Sequence, residues 1–151
     1  TITQASLFIM VMTGSQVAGV LLGGYLGDKF DKRLVAASCM LLHAGALFVL
    51  TYATHTLELL FFALGHGLAW GTRGPFMQAI RADYFGRKSI GMILGISASI
   101  AAIGQTVGPL IAGYLGDVTG DYQLGFTAIS GIAVIGALAF WFARRPQQPN
   151  T

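Results

Sequence analysis

Five long apolar segments, separated by short polar connections, decide what this chain can fold into. Each segment has the length of about 20 residues that a helix needs to cross the hydrocarbon core of a bilayer. Only 10% of the residues are charged, whereas a soluble domain averages about 25%. In lipid every backbone amide and carbonyl must be paired within the protein, so the segments must be helices. The predicted spans cover residues 7–26, 34–52, 57–80, 90–115 and 124–143.

The sequence thus predicts an all-α, polytopic transmembrane helix bundle in residues 1–143. Residues 144–151 begin with two arginines and contain two prolines, so we expect a disordered cytoplasmic tail. The single cysteine, Cys39, rules out an internal disulfide. No basic segment precedes the first apolar run, so we interpret this run as a span and not as a signal peptide. The first residue is Thr1 and not Met, which we interpret as the sign of a fragment.

The positions of the basic residues predict how the bundle is oriented. Every Lys and Arg apart from Arg73 lies after span one, span three or span five, and the connections at 53–56 and 116–123 contain none. Basic residues gather on the cytoplasmic side of membrane proteins. We therefore expect cytoplasmic loops at 27–33 and 81–89 and a cytoplasmic C-terminus, in a multi-pass protein of a bacterial inner membrane. The net charge of +3 then reflects topology, and we expect no nucleic-acid partner.

Glycines recur at four-residue spacing within the predicted spans. The chain has 21 glycines, about twice the usual share, and small residues at this spacing let helix backbones approach closely. We expect a tightly packed bundle in which prolines inside spans act as hinges. The repeats are Gly19, Gly23 and Gly27; Gly67 and Gly71; Gly91 and Gly95; Gly104 and Gly108. The residues assigned to packing or hinge roles are Pro75, Gly104, Gly108, Pro109 and Gly113.

The first basic connection carries a pattern that resembles the loop motif of the major facilitator superfamily. That motif reads Gly-x-x-x-Asp-Arg/Lys-x-Gly-Arg-Arg/Lys. The chain matches it at Gly24, Asp28, Lys29, Lys32 and Arg33. It departs from the motif at Asp31, where the family has Gly, although Asp also tolerates turn conformations. The resemblance extends over nearly the whole chain and implies a transporter built from membrane helices.

Three further stretches resemble one branch of this superfamily and its second half. The run from Gly104 to Gly113 resembles the family's glycine–proline motif, and residues 82–87 and 113–122 resemble monocarboxylate and oxalate–formate type members. Such transporters consist of two six-helix halves. The resemblance implies that the chain carries helices 8–12 and that the other half is its missing partner. The alternatives are helices 2–6 of a drug or solute antiporter, or a truncated membrane module that does not transport.

The resemblance also implies a gate at the cytoplasmic helix ends. Alternating access requires the two halves to rock around a central site. An Asp at a helix end accepts strong hydrogen bonds from Arg, so we expect Asp28 to pair with Arg81 or Arg87 and to release when the gate opens. The predicted gating residues are Gly24, Asp28, Lys29, Lys32, Arg33, Arg81, Asp83 and Arg87.

Arg73 is the residue that most strongly indicates a substrate. It lies seven positions before the end of its predicted span at residue 80, or about 10 Å at 1.5 Å per residue, well inside the hydrocarbon core. A cation at this depth is costly and marks a substrate or ion path. Its spacing from His66, Trp70 and Met77 places all four on one helix face. We expect this face to line a cavity and Arg73 to attract an anion; an arginine that only holds helices together is the alternative.

Together these features predict secondary active transport of a small organic anion such as a monocarboxylate, as a symporter or antiporter with a coupled proton or counter-anion. We expect no enzyme activity and no cofactor, because no phosphate-loop, dinucleotide or serine-protease pattern is complete. We expect no metal site, because His43, His55 and His66 lack the spacing of metal ligands. The expected partners are the solute, the lipid bilayer and the other half of the transporter.

Overall fold

The computed structural model describes residues 2–86 and 90–143. Within these ranges the chain forms five α-helices joined by short connections, which confirms the predicted all-α bundle. The helices are α1 (Ile2–Lys29), α2 (Lys32–Thr51), α3 (Thr56–Phe85), α4 (Ile90–Thr119) and α5 (Gln123–Phe142).

Four of these helices, α1, α2, α4 and α5, are long and apolar enough to cross a membrane. The helix α3 is not among them, because Glu58, His66 and Arg73 interrupt its apolar character. It is nevertheless 30 residues long and packs along both α1 and α2. That α3 also spans the membrane therefore stays a prediction, and it rests on this central position.

The helices extend beyond the predicted spans both next to the basic connections and at the far end of α4, which continues to Thr119 within the predicted connection 116–123. Only Phe30 and Asp31 separate α1 from α2, and α3 continues to Phe85. The predicted loops at 27–33 and 81–89 are therefore wrong in part, since residues 27–29, 32–33 and 81–85 are helical. Hydropathy locates only the apolar part of a helix, whereas its polar end can continue through the headgroup region. The predicted tail at 144–151 lies outside the described residues.

The five helices do not pack in the order of the chain. The helix α3 lies between α1 and α2. On its other side, α2 packs against α5, and α5 in turn packs against α4. The helices α1 and α2 barely touch, although they are joined by the shortest connection. A groove therefore opens between α1 and α2, with α3 as its floor.

Glycines bring the backbones of α1 and α3 into direct contact. A Cβ atom on Gly19 would lie 2.5 Å from the carbonyl oxygen of Leu68, and one on Gly71 would collide with the carbonyl group of Gln16. Real Cβ atoms do not approach backbone this closely, so both positions require glycine. Equivalent backbone contacts are made by Gly23 and Gly67. The close approach predicted from the glycine spacing is thus present between these two helices.

The helix α4 has few neighbours within the described chain. It meets α5 where Ala112 lies against Gly125. A Cβ atom on Gly104, Gly108 or Gly113 would find no atom of another residue within 4 Å. The tight packing predicted for these glycines is therefore not formed among the described residues. Both α3 and α4 continue as helices through Pro75 and Pro109, so the hinge roles of these prolines stay predictions.

Candidate functional site

Asp31 organises the connection between α1 and α2. Its backbone has φ −59° and ψ 115°, which does not require the glycine of the family motif. Its Oδ1 accepts a hydrogen bond from the backbone N–H of Arg33 at 2.9 Å, which caps α2. The Arg33 guanidinium also donates to both carboxylate oxygens, at 3.2 and 2.9 Å. This bond to Arg33 lowers the pKa of Asp31.

Acidification should remove the electrostatic part of this cap. The folded-state pKa of Asp31 lies below its ordinary value of about 4. The charged carboxylate therefore stabilises the fold fully above about pH 4, and this stabilisation is lost as the pH falls through the folded-state pKa. Asp31→Asn keeps a capping oxygen but loses the charge. We expect the variant to unfold more readily than the wild type at neutral pH and equally in strong acid, measured as unfolding midpoints in detergent.

Asp121→Asn provides the matched control for this prediction. Asp121 also accepts a bond from a backbone N–H, that of Gln123 at 2.9 Å, and no ion pair of the described residues involves it. Its substitution should therefore lower the unfolding midpoint at neutral pH less than Asp31→Asn does. A gap between Asp31→Asn and the wild type that stays constant into strong acid would contradict the charge effect.

A second ionic contact joins the start of α2 to the C-terminal end of α3. The Lys32 Nζ donates to Asp83 Oδ2 at 2.7 Å. In addition, the Arg33 guanidinium donates to the carbonyl oxygen of Ala143, just after α5, at 2.7 Å. The start of α2 is thus tied to the ends of two other helices, and two predicted gating residues, Lys32 and Asp83, meet in a pair that the sequence analysis did not anticipate.

The predicted pair of Asp28 with Arg81 is not formed in this structure. The ion pairs among the described residues are Lys32 with Asp83 and Arg33 with Asp31, and Asp28 is exposed. Next to Asp28, Lys29 donates to the hydroxyl group of Tyr25 at 2.6 Å. Gly24 lies inside α1 and not in a loop. Arg87 lies outside the described residues, so a latch between it and Asp28 stays a prediction.

A polar and aromatic cluster lies where α3 faces α2. The guanidinium carbon of Arg73 is 4.7 Å from the ring centroid of Trp70, and Arg73 Nη1 lies 3.7 Å from the sulfur of Met40. The ring of His66 is parallel to Trp70, with centroids 6.2 Å apart. From α2, His43 approaches His66 to 4.3 Å between ring centroids.

This cluster contains three of the four predicted substrate-site residues: His66, Trp70 and Arg73. The fourth, Met77, is half-buried one turn further along α3. The sequence analysis missed Met40 and His43, because helical spacing relates residues of one helix only. Their separation of three residues on α2 shows that they share a face of that helix, but not which helix that face meets.

The charge of Arg73 is not balanced by a carboxylate within the described chain. Arg73 is half-buried and lies 12 residues before the end of α3, or about 18 Å at 1.5 Å per residue. The guanidinium has five N–H donors, and contacts with an aromatic ring face and a thioether sulfur leave most of them without a strong hydrogen-bond acceptor. The Nδ1 atom of His66 is also buried without a hydrogen-bond partner. The cluster can therefore donate several further hydrogen bonds to a ligand.

A small cleft of about 140 Å³ lies beside the cluster, between α1 and α3. Its lining consists of Met12, Gln16, His66, Gly67 and Trp70. The volume is below the roughly 300–1,000 Å³ of a complete ligand pocket. Among the residues described, no group of three or more His, Cys, Asp or Glu is placed to hold a metal ion. The described helices thus form only a small cleft next to the cluster.

Comparison with known proteins decides the family. The family model of the Major Facilitator Superfamily matches residues 1–151, which is the whole chain. The chain belongs to the Major Facilitator Superfamily. Its apolar helices belong to an integral, multi-pass membrane protein, and the relatives that it matches are transporters and exchangers.

Individual major facilitator relatives are similar over most of the chain. A benzoate transport protein of Acinetobacter baylyi is 23% identical over 151 residues, covering 99% of this chain and 32% of the relative. A glucose-6-phosphate exchanger of Homo sapiens is 32% identical over 131 residues, or 82% of this chain and 26% of the relative. Monocarboxylate transporter 13 of Rattus norvegicus is 28% identical over 137 residues, or 88% of this chain and 32% of the relative.

The chain spans 26–32% of the length of these relatives. No solved structure matches it.

Proposed function

We propose that the chain forms part of a secondary active transporter that moves a small organic anion by alternating access. The observation that carries this proposal is Arg73, a half-buried cation in the middle of α3 without a carboxylate partner in the described chain. Such a charge is costly within a membrane, and an anionic substrate would offset it. Benzoate, monocarboxylates and glucose 6-phosphate, the solutes in the names of three relatives, are all organic anions.

The neighbours of Arg73 suit an anion that carries an organic body. A guanidinium binds a carboxylate or a phosphate through two parallel hydrogen bonds. The parallel rings of His66 and Trp70 offer a flat surface for the rest of the solute, and His66 lines the cleft beside Trp70. The single fixed positive charge of Arg73 is compatible with two transport modes. The substrate anion could be exchanged for a second anion, or it could be co-transported with a proton.

This function belongs to a longer protein than residues 1–151. We propose that the rest of the transporter supplies the other walls of the cleft, and that the described helices correspond to helices 8–12. Helices 2–6 of a drug or solute antiporter remain the alternative assignment. We assign the basic connections to the cytoplasmic side of a bacterial inner membrane. Residues 1–151 alone, as a module without the facing half, should insert into a membrane without transporting.

Uptake by the complete protein tests the proposal. In liposomes that contain the purified transporter, we expect one or more of benzoate, lactate and glucose 6-phosphate to enter faster than in protein-free liposomes. The uncharged analogues benzamide and glucose, matched in shape to two of these anions, should not enter faster. Equal uptake of an anion and its uncharged analogue, or uptake of none of the anions, would show that the site does not select organic anions.

A further inference from the structure

The groove between α1 and α2 has a volume of about 730 Å³. This volume lies within the range of about 300–1,000 Å³ that is typical of ligand pockets. Apolar residues of three helices form its walls. They include Leu41, Val49, Phe61, Leu64 and Leu68. The hydroxyl group of Ser15, which also lines it, already donates to the Val11 carbonyl at 2.8 Å, so the groove suits a hydrocarbon chain.

At the end remote from the basic connections, the groove continues into a second cleft of about 360 Å³. Val49 and Phe61 line both cavities, which makes them one continuous surface. The second cleft adds the ring of Tyr52 and the carboxylate of Glu58. The combined site is therefore apolar along its length and acidic at one end.

The Glu58 carboxylate has one oxygen available to a ligand. Its Oε2 accepts hydrogen bonds from the backbone N–H groups of Thr54 and His55, which fixes the side chain at the start of α3. Within the described chain, every hydrogen bond to this carboxylate ends on Oε2. No basic side chain of the described residues pairs with Glu58. The carboxylate is thus held in place by backbone N–H groups at the start of α3, and no ion pair of the described residues neutralises it.

The length of the groove matches one leaflet of a bilayer. From Leu41 to Val49 it follows α2 for eight residues, or about 12 Å at 1.5 Å per residue. Half of a hydrocarbon core is about 15 Å thick. The aromatic rings and Glu58 then lie at the depth of the lipid headgroups. At this depth Tyr is common, and aromatic faces attract ammonium cations.

We propose that the groove and the second cleft together bind one phospholipid with an ammonium headgroup. An acyl chain lies between α1 and α2, and the ammonium group lies between Glu58 and the rings of Tyr52 and Phe61. Charge complementarity selects this occupant, because the carboxylate attracts an ammonium group and repels the net negative charge of phosphatidylglycerol. The site is independent of Arg73, so it can exist whatever solute the protein transports.

Two substitutions separate the headgroup contact from the acyl-chain contact. Glu58→Gln keeps an oxygen for the backbone N–H groups at the start of α3 but removes the charge. Gly45→Leu puts a large side chain into the groove, where a Cβ atom would find nothing within 4 Å, so the added bulk is not strained. Gly131→Leu is the matched control, because it makes the same change at an equally open position of α5.

Native mass spectrometry of the complete protein measures the binding. The detergent-purified protein is mixed with equal amounts of phosphatidylethanolamine and phosphatidylglycerol that carry the same acyl chains. We expect the wild type and Gly131→Leu to retain mainly phosphatidylethanolamine. Glu58→Gln should retain the two lipids equally, and Gly45→Leu should lose most of the bound lipid. Circular dichroism verifies that each variant keeps its helices.

Equal retention of the two lipids by the wild type would overturn the proposal without any variant. Retention of neither lipid would show that another part of the transporter covers the groove. If Glu58→Gln kept the preference for phosphatidylethanolamine, Glu58 would not contact the headgroup. If Gly45→Leu bound as much lipid as the wild type, the acyl chain would not lie in the groove. Each of these results is independent of whether organic anions are transported.

Discussion

Gly71→Ala should separate α1 from α3 and prevent the bundle from folding stably. The added Cβ atom would collide with the carbonyl group of Gln16, and neither backbone can move aside without opening the contact along both helices. Overpacking of this kind costs about 1–3 kcal/mol or more. An unhindered Gly to Ala change inside a helix has the opposite sign and stabilises by about 1 kcal/mol. The measurement is the unfolding midpoint in detergent, together with the amount of protein that accumulates in the membrane.

Gly74→Ala is the control for this experiment. It makes the same chemical change three residues further along α3, where a Cβ atom would meet nothing within 4 Å. Its midpoint should equal or exceed that of the wild type. The difference between the two variants therefore reports the contact with α1 and not the helix propensity of alanine. If both variants unfolded at the same midpoint, the backbones of α1 and α3 could not be as close as the structure places them.

Arg73→Met should strongly weaken anion transport while leaving the fold intact. Hydrogen bonds to a charged group contribute about 1.5–3 kcal/mol, so their loss should weaken anion binding by about 10- to 150-fold. The fold should persist, because the Trp70 ring and the Met40 sulfur, which Arg73 contacts, can both pack against a methionine. The rate of anion uptake at several concentrations and the unfolding midpoint measure the two effects separately.

Arg73→Lys distinguishes the charge from the shape of the guanidinium. Lysine keeps the positive charge but lacks the planar, two-pronged geometry that matches a carboxylate. We expect its transport to be intermediate between that of the wild type and that of Arg73→Met. Unchanged uptake by Arg73→Met would show that this arginine does not bind the substrate. If the midpoint and the uptake fell together, Arg73 would be a residue that holds α2 and α3 in register.

Hydropathy predicted the five helices well, because a bilayer leaves an apolar segment no other structure. It placed the C-terminal ends of α1 and α3 too early, since Lys29 and Phe85 lie in helical turns beyond the apolar part. The spacing of the glycines showed which helix faces carry small residues, but not which helix packs against each of these faces. Gly71 therefore finds a backbone partner on α1, whereas Gly104 finds none among the described residues.

The sequence predicted only which residues of the candidate site share a face of one helix. Helical spacing alone placed His66, Trp70 and Arg73 together on α3. It gave no information about His43, whose contact with His66 depends on how α2 packs against α3. The sequence was equally uninformative at the helix ends next to the basic connections, where more than one pairing of acidic and basic side chains was possible. Only the tertiary arrangement selects Asp83 over Asp28 as the acid that meets a basic side chain of another helix.

The order in which the helices pack has a consequence for synthesis. The helix α1 is complete at Lys29, but the last turn of its packing partner α3 is complete only at Phe85, 56 residues later (85 minus 29). At about 5–20 residues per second, this interval lasts about 3–11 s. During that time the glycine face of α1 lacks the helix against which it packs in the folded bundle, and α2 has neither of its main partners. A nascent chain of this design therefore waits in the membrane, or beside the insertion machinery, until α3 arrives.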